Sequence, residues 1–377
     1  MRSLSVAALR ITPKLNNLDI MGESEKYGVQ AYYSPALRSL NAFRSETVRF
    51  YGLCGLCISF LFFFFCTMHG GPRIYGSLQS TISDITNTTL GFQMIFVLNI
   101  ASRHDKRDAV SMSASVSNMD FEWLEGVDGA LISNKAKPPK LEAGLERSSN
   151  TLGCWRAHMN AMQHIVKERI ESALIMEDDV DWDVNIRKQL LEFANGARFV
   201  QGPGGARGDS NSPYGNDWDV LCLGHCGTGN FNDEKRWWVT RNDPTAVPPE
   251  LYKWGNVPNL SPPALREGRF NRYIYSATGG RCLYAYAVSL RGARLFLNTE
   301  TLALEQALPA DRGMARLCHV RKFGAKCISP YPSIFGSHFA AGPMSKDSDR
   351  QTIAEIWRKV GLTPHVVFST RVHLQRA

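Results

Sequence analysis

Unbroken apolar runs alternate with amphipathic stretches through the middle of the chain. Met94–Ile100 (MIFVLNI) has the composition of a strand buried on both faces, and a charged helix is predicted from about Arg103. Asp120–Gly129 (DFEWLEGVDG) predicts a second strand and a turn. Ser148–Thr151 offers N-cap residues to a helix running to about Glu171. Trp155, Met159, Met162, Val166 and Ile170 give that helix a single apolar stripe. Ser172–Met176 (SALIM) is the next strand, followed by strands at Asp219–Gly224, Cys282–Ser289 and Lys326–Pro332. Helices are predicted at Arg291–Leu297 and Asp349–Gly361, whereas residues 196–272, rich in Gly, Pro and Trp, read as an irregular insertion. Strands alternating with helices predict an α/β fold, a doubly wound and mainly parallel sheet. Ligands of such sheets sit beyond the carboxyl ends of the strands.

One apolar stretch does not fit that rhythm. Phe50–Met68 holds 19 residues without a charge. As a helix it would rise ~28 Å, enough for the hydrocarbon core of a bilayer. The 49 residues before it carry seven Lys and Arg against four acids, with Arg44 and Arg49 at the boundary and only Arg73 close on the far side. The positive-inside rule then predicts a single-pass type II anchor. The expected organisation is a cytosolic tail (1–49), a signal anchor (50–68), a luminal stem (69–91), a main domain (92–342), and a C-terminal helix and tail packed on it (343–377). A glycosylation sequon, Asn87-Thr88-Thr89, falls on the luminal side.

Composition narrows the classes further. The chain has 377 residues, 44% hydrophobic, with a formal charge of +8. Its Lys and Arg are scattered and no nucleic-acid footprint is present, so phosphorylated small molecules suit the basic balance better than nucleic acid. Cys54, Cys57 and Cys66 lie in the anchor, while Cys154, Cys222, Cys226, Cys282, Cys318 and Cys327 follow it. Among their pairings, Cys318–Cys327 is favoured as a short loop between two elements. Cys222 and Cys226 flank His225 but lack a second ligand pair, which favours disulfides or thiols over zinc.

The densest chemistry follows SALIM. Glu177, Asp178, Asp179, Asp181 and Asp183 place five carboxylates in seven positions. Two such charges ~4 Å apart repel by about 4 kcal/mol at an effective dielectric near 20, so the cluster needs counter-charge, solvation or altered titration. A calcium loop starting at Asp179 fails, because its glycine position is Val184 and its final Glu position is Leu190. A phosphotransferase reading lacks a partner motif, since Gly202–Gly208 (GPGGARG) does not end in a Walker lysine. A third reading remains, a D-x-D-type site holding Mg²⁺ or Mn²⁺ against a nucleotide diphosphate, as hard carboxylate oxygens favour. Helix capping by some of these acids is compatible with it. Asp178 and Asp179 are expected on the metal, and Asp183 solvated or capping.

The order of these motifs resembles glycosyltransferase family 25. The matching pieces are FVLNIASRHDKR (Phe96–Arg107), FEWLEGVDG, LGCWRAHMNAMQHIV (Leu152–Val166), ALIMEDDV (Ala173–Val180), DWDVLCLG and TGGRCLYAYAVSLRGARLF (Thr278–Phe296). Ala157 stands where the family usually has Ser. The resemblance implies a GT-A-like fold, a nucleotide-sugar donor (a UDP-sugar, with galactose the leading candidate) and transfer with inversion. The acceptor would be a hydroxyl of a glycan or glycoprotein. A type II anchor is what a transferase of the Golgi or endoplasmic reticulum membrane requires. Site roles carry over by position. Asn99, Arg103 and Arg107 would contact the nucleotide, with an ordinary helix-start role open for the arginines. Asp128 would accept from base or ribose, or simply make its turn. His158 is either a site residue or a core histidine. Asp178 and Asp179 would hold Mn²⁺ or Mg²⁺, with His338 completing the shell, and Asp178 would also meet the nucleotide. Glu177 belongs with the catalytic groups. Asp311, with Glu305 as the second candidate, would be the base that takes the acceptor proton, and an N-cap role for Asp311 stays open. The Trp-rich insertion would stack a sugar or pack the core. The competing reading is an inactive luminal protein that binds nucleotide sugar or glycan on the same fold.

Overall fold

A computed structural model describes residues 82–138, 148–204, 212–233, 235–252, 257–260, 268–302, 306–320, 323–349 and 356–374. All of them belong to the compact unit Gly76–Ala377. The predicted tail and the anchor Phe50–Met68 lie outside the described residues, as does Glu305. Among the described residues no helix is long and apolar enough to cross a membrane.

The elements follow in chain order. Strand β1 is Met94–Asn99, helix α1 His104–Val116, and β2 Glu122–Glu125. Helix α2 (Ser149–Glu168) leads to β3 (Ser172–Glu177), β4 (Val180–Trp182) and helix α3 (Ile186–Gln201). Next come β5 (Val220–Gly224), β6 (Thr228–Asn230), β7 (Trp238–Thr240), β8 (Arg272–Gly280) and β9 (Ala285–Ser289). Helices α4 (Leu290–Leu297) and α5 (Ala310–His319) precede β10 (Cys327–Tyr331), β11 (Phe335–Ser337), β12 (Gly342–Pro343), β13 (Trp357–Arg358) and helix α6 (Thr370–Leu374).

The central sheet has the order β2-β1-β3-β9-β5-β10-β8-β6, with β7 also on β8. Strand β1 pairs in parallel with β2 and β3, and β5 with β10, while β9 and β8 run against their neighbours. The sheet is therefore mixed, mostly parallel in direction, and covered on both faces. Alternate residues of one strand serve the two faces: Ile95 and Val97 join Val110, Leu190 and Phe193 on one side. Phe96 and Leu98 join Trp155, Met159 and Phe296 on the other. That two-sided burial explains why β1 and β3 read as continuous apolar runs.

Several expected boundaries shift. Ile85 and Leu90, assigned to the stem, are fully buried, and the Tyr214 hydroxyl donates to the Leu90 carbonyl at 2.7 Å. The globular body thus includes the end of the predicted stem. The predicted helix over Asp349–Gly361 gives way at Trp357–Arg358 to strand β13, paired with β12. The insertion contains β6 and β7, and the nine-residue β8 begins at its last residue, Arg272. Strand β8 carries Ser, Ala, Thr and two Gly, too little apolar contrast to register as a strand.

Candidate active site

The carboxyl ends of β1 and β3 lie side by side, with Leu98 in register with Glu177. A cavity of about 390 Å³ opens there. It is lined by Asn99, Arg103, Lys106, Asp128, Cys154, His158 and the Glu177–Asp179 turn, together with Asp347–Asp349.

Each wall follows from local sequence. Arg103 is the N-cap residue of α1, which sends Lys106 back over the strand ends. The Asp128 carboxylate accepts from the Ala130 amide at 2.9 Å, fixing the turn into Gly129–Leu131. Helix α2 crosses this turn at backbone contact. A Cβ on Gly153 would sit 2.1 Å from the Val127 carbonyl oxygen, so only glycine fits immediately before Cys154. Ser148 caps α2 by accepting from the Thr151 amide at 3.2 Å.

The five carboxylates divide into two groups. Asp178 is buried and accepts from Lys106 Nζ and from Asn99 Nδ2, both at 2.8 Å. Burial alone would lower the Lys106 pKa, but the Asp179 and Asp178 carboxylates more than reverse it. Asp179 accepts from the Ser337 hydroxyl at 2.8 Å through Oδ2, while its Oδ1 is buried without a hydrogen-bond partner. Burial, then the Glu177 charge, push the Asp179 carboxyl up to about 6. Glu177 Oε1 meets His158 Nε2 at 3.2 Å, and His158 Nδ1 meets the Tyr286 hydroxyl at 2.8 Å.

Asp181 and Asp183 belong to the second group. Both are fully buried, so the expected solvation of Asp183 does not occur. Asp183 accepts from the Asn185 and Phe368 amides at 2.8 and 3.1 Å, which shapes the entry to α3 and ties it to the C-terminal segment. Asp181 accepts from the amide of Trp182 at 2.8 Å and from the hydroxyls of Thr363 and Ser369. Arg371 reaches back to the Asp178 carbonyl at 3.0 Å. Electrostatic crowding is relieved by Lys106 and Arg371 and by neutral donors.

The structure brings together Asn99, Arg103, Asp128, Glu177, Asp178 and Asp179, and sets three expected residues apart from them. Arg107 lies over the Trp123 ring, 4.7 Å from its centroid, and does not line the cavity. His338 is buried, with Nδ1 at 2.9 Å from the Thr363 hydroxyl. Burial and then Arg371 lower its pKa to about 4. Its backbone amide donates to the Asp179 carbonyl at 2.8 Å, so it braces the turn. Asp311 opens α5, where its carboxylate accepts from the Cys282 and Arg312 amides at 3.2 and 2.9 Å. It borders a separate small cavity and lies in the first turn of α5, whose N-cap residue is Pro309.

Sequence reasoning missed Lys106, hidden in the RHDKR run between the arginines it had singled out. It also missed Asp349, whose carboxylate takes Arg103 at 2.6 and 2.7 Å. Asp105 first and Asp349 next raise the Arg103 guanidinium pKa further. No sequence signal links positions so far apart. The aromatics of the insertion pack: Trp237 lies 4.9 Å from Tyr275, and Trp238 5.8 Å from Phe199. Cys318–Cys327 is a disulfide, as its short loop suggested, and Cys226 pairs with Cys282 rather than with Cys222.

Comparison with known proteins decides which family these motifs resemble. Residues 92–200 match the sequence model of glycosyltransferase family 25 (LPS biosynthesis protein). The matched segment runs from the start of β1 to the end of α3 and carries the strand ends, α1, α2 and the EDD turn. Procollagen galactosyltransferase 1 of Danio rerio is 24% identical over 297 residues, 76% of this chain and 39% of that protein. Procollagen galactosyltransferase 2 of Homo sapiens is 25% identical over 294 residues, 71% of this chain and 40% of that protein. The human protein named Inactive glycosyltransferase 25 family member 3 is 24% identical over 132 residues, 32% of this chain and 22% of that protein. The chain spans only 33 to 40% of the length of the procollagen galactosyltransferases it matches.

Proposed function

We propose that this chain is a glycosyltransferase that moves a hexosyl group, galactose in the leading case, from a nucleotide diphosphate sugar to a hydroxyl of a glycan or glycoprotein. The observation that carries this reading is the meeting of cationic and carboxylate groups at one strand-end cavity: Arg103 and Lys106 face Asp178 and Asp179 across Asn99. Lys106 and Arg103 would take the diphosphate, Arg through its planar donors and Lys as a point charge. Asp128 would orient base or ribose.

The carboxylates fit a hard divalent cation, Mn²⁺ or Mg²⁺. Asp179 Oδ1 is a buried carboxylate oxygen lacking a donor, with the carboxylates of Glu177 and Asp178 and the Lys106 ammonium nearby. Asp179 would hold the ion, with Asp178 sharing it on releasing Lys106 to the phosphates. When bound, the ion neutralises charge that builds on the leaving diphosphate. His338 supports the turn from behind. Inversion requires a base on the acceptor side, and Glu177, at the cavity wall with His158 at its back, is better placed than Asp311. The proposal includes the type II anchor at Phe50–Met68 and a luminal catalytic domain in the Golgi or endoplasmic reticulum.

A second reading, an inactive binding protein of the same fold, is favoured by one observation. Asp349 already occupies Arg103, and the Lys106 ammonium is 3.6 Å from that carboxylate. The two readings separate when the protein is incubated with a panel of nucleotide sugars, acceptor hydroxyls and Mn²⁺ while nucleotide release and donor binding are followed. Metal-dependent release that falls at least about 100-fold in Asp179→Asn supports the transferase. Donor binding without release on any acceptor supports the binding protein, and release indifferent to Asp179→Asn rejects the site.

A further inference from the structure

One cluster on the cavity wall has a chemistry different from the carboxylate turn. Cys154 and His158 are four residues apart on α2, so both project from one face of the helix. Glu177 meets them from the end of β3. The thiol sulfur, an imidazole nitrogen and a carboxylate oxygen of these three residues lie within 4.8 Å of one another. Among the described residues this is the group of three ligating side chains that closes to such distances, and Asp178, Asp179 and His338 do not.

We infer that Cys154, His158 and Glu177 form a binding site for a thiophilic divalent cation of the zinc class, with the cavity supplying its fourth coordination position. The geometry is already close. Tetrahedral zinc holds neighbouring ligand atoms about 3.4 Å apart, and His158 Nε2 and Glu177 Oε1 are separated by 3.2 Å. A second, independent feature lies behind the imidazole. His158 is 1% exposed, and its Nδ1 is hydrogen-bonded at 2.8 Å to the buried Tyr286 hydroxyl. A ligating histidine needs its other nitrogen anchored in this way, which fixes the ring and directs Nε2 at the ion. Cys154 is a free thiol, half-buried at the cavity edge.

A sulfur, nitrogen and oxygen set prefers zinc over the hard ions suited to Asp178 and Asp179. Binding displaces the Cys154 thiol proton and any proton on His158 Nε2 to solvent. The inference does not depend on the transfer reaction, since metal binding alone reads it. For the same chemistry, an occupied site would draw Glu177 onto the ion and away from the cavity.

The test is a titration of the purified full chain, thiols reduced, with Co²⁺ as a spectroscopic substitute for Zn²⁺. A thiolate-to-cobalt band in the near ultraviolet is expected, removed by Zn²⁺ but not by excess Mn²⁺. Cys154→Ser should abolish the band, Tyr286→Phe should weaken affinity about tenfold, and Asp179→Asn should leave it unchanged. Absence of the band, or its survival in Cys154→Ser, overturns the site. Should Cys154→Ser fail to fold, alkylation of the wild-type chain gives the answer by peptide mass analysis. Zn²⁺ should slow modification of Cys154 about tenfold or more, and equal rates with and without Zn²⁺ overturn the inference.

Discussion

At the scale of single residues, Asp179 shows how a site trades stability for chemistry. Its carboxyl is raised to about 6 by burial and by Glu177. The folded state therefore takes up this proton more readily than the unfolded chain, whose value is the ordinary 3.8. Stability from this group is complete below pH ~4 and lost as pH rises through about 6. In the metal-free protein, Asp179→Asn should be the more stable form above pH 6, with no advantage near pH 4. Mn²⁺ should then raise the melting temperature of the wild type alone. Thermal melts at both pH values, with and without Mn²⁺, measure each part. Which acids matter was only half legible in sequence. The EDD block announced itself by position after a strand. The fates of Asp181 and Asp183 depended on Thr363, Phe368 and Ser369, far along the chain. Lys106 was invisible for a related reason: a lysine among charged neighbours acquires meaning only when a strand end is placed under it.

At the scale of elements, the Gly-Cys pair of α2 records a packing constraint beside a functional one. Gly153→Ala would drive a methyl into the Val127 carbonyl, and the Gly129 amide lies only 2.8 Å from that methyl position. The helix would have to lift, carrying Cys154 and His158 with it. A loss of about 1–3 kcal/mol in denaturant unfolding is expected, together with weaker donor binding. The strands β5 and β10 depend on a buried histidine just beyond β5. His225 accepts from the Gly227 amide through Nδ1 and lies 2.9 Å from the Pro330 carbonyl through Nε2, which assigns the proton to Nε2. Burial lowers its pKa to about 4. The unfolded chain binds this proton first as pH falls, so stability should drop between pH 6.5 and about 4, by about 3 kcal/mol from this group. In His225→Gln, urea midpoints should vary less over that window. Strong apolar runs made β1, β3 and β9 readable, whereas β8 hid in small and polar residues whose burial comes only from neighbouring strands. The predicted helix at Asp349–Gly361 failed where Trp357–Arg358 found β12 as a partner, a tertiary pairing that overrides local pattern.

For the whole described body, covalent ties hold together the half that lies beyond residues 92–200. Cys226–Cys282 spans 56 positions and joins the end of β5 to the approach to β9, and Cys318–Cys327 spans nine between α5 and β10. Loop-closure entropy assigns about 4 kcal/mol to the first and about 3 to the second. Cys226→Ser with Cys282→Ser should therefore lower the denaturant midpoint more than Cys318→Ser with Cys327→Ser. The reverse order would show that the folded state, not chain entropy, sets the difference. Fold class was legible from the alternation of strands and helices, and the family resemblance from motifs running from Phe96 to Phe296, the first part of which falls in the matched residues 92–200. In the second half β5, β9 and β10 were legible as apolar runs, whereas its irregular stretches were not, because disulfides and long-range hydrogen bonds that leave no local period organise them.

The bonds from Thr363, Ser369 and Arg371 to the acidic turn also impose an order on biosynthesis. Arg371 follows Asp178 by 193 positions. At ~5–20 residues per second, a ribosome needs about 10–40 s to cover that interval. During that time the nascent chain carries a cluster of carboxylates whose hydroxyl donors and guanidinium have not yet been made. The hydrogen-bonded frame behind the acidic turn is thus closed only once Arg371 has been made.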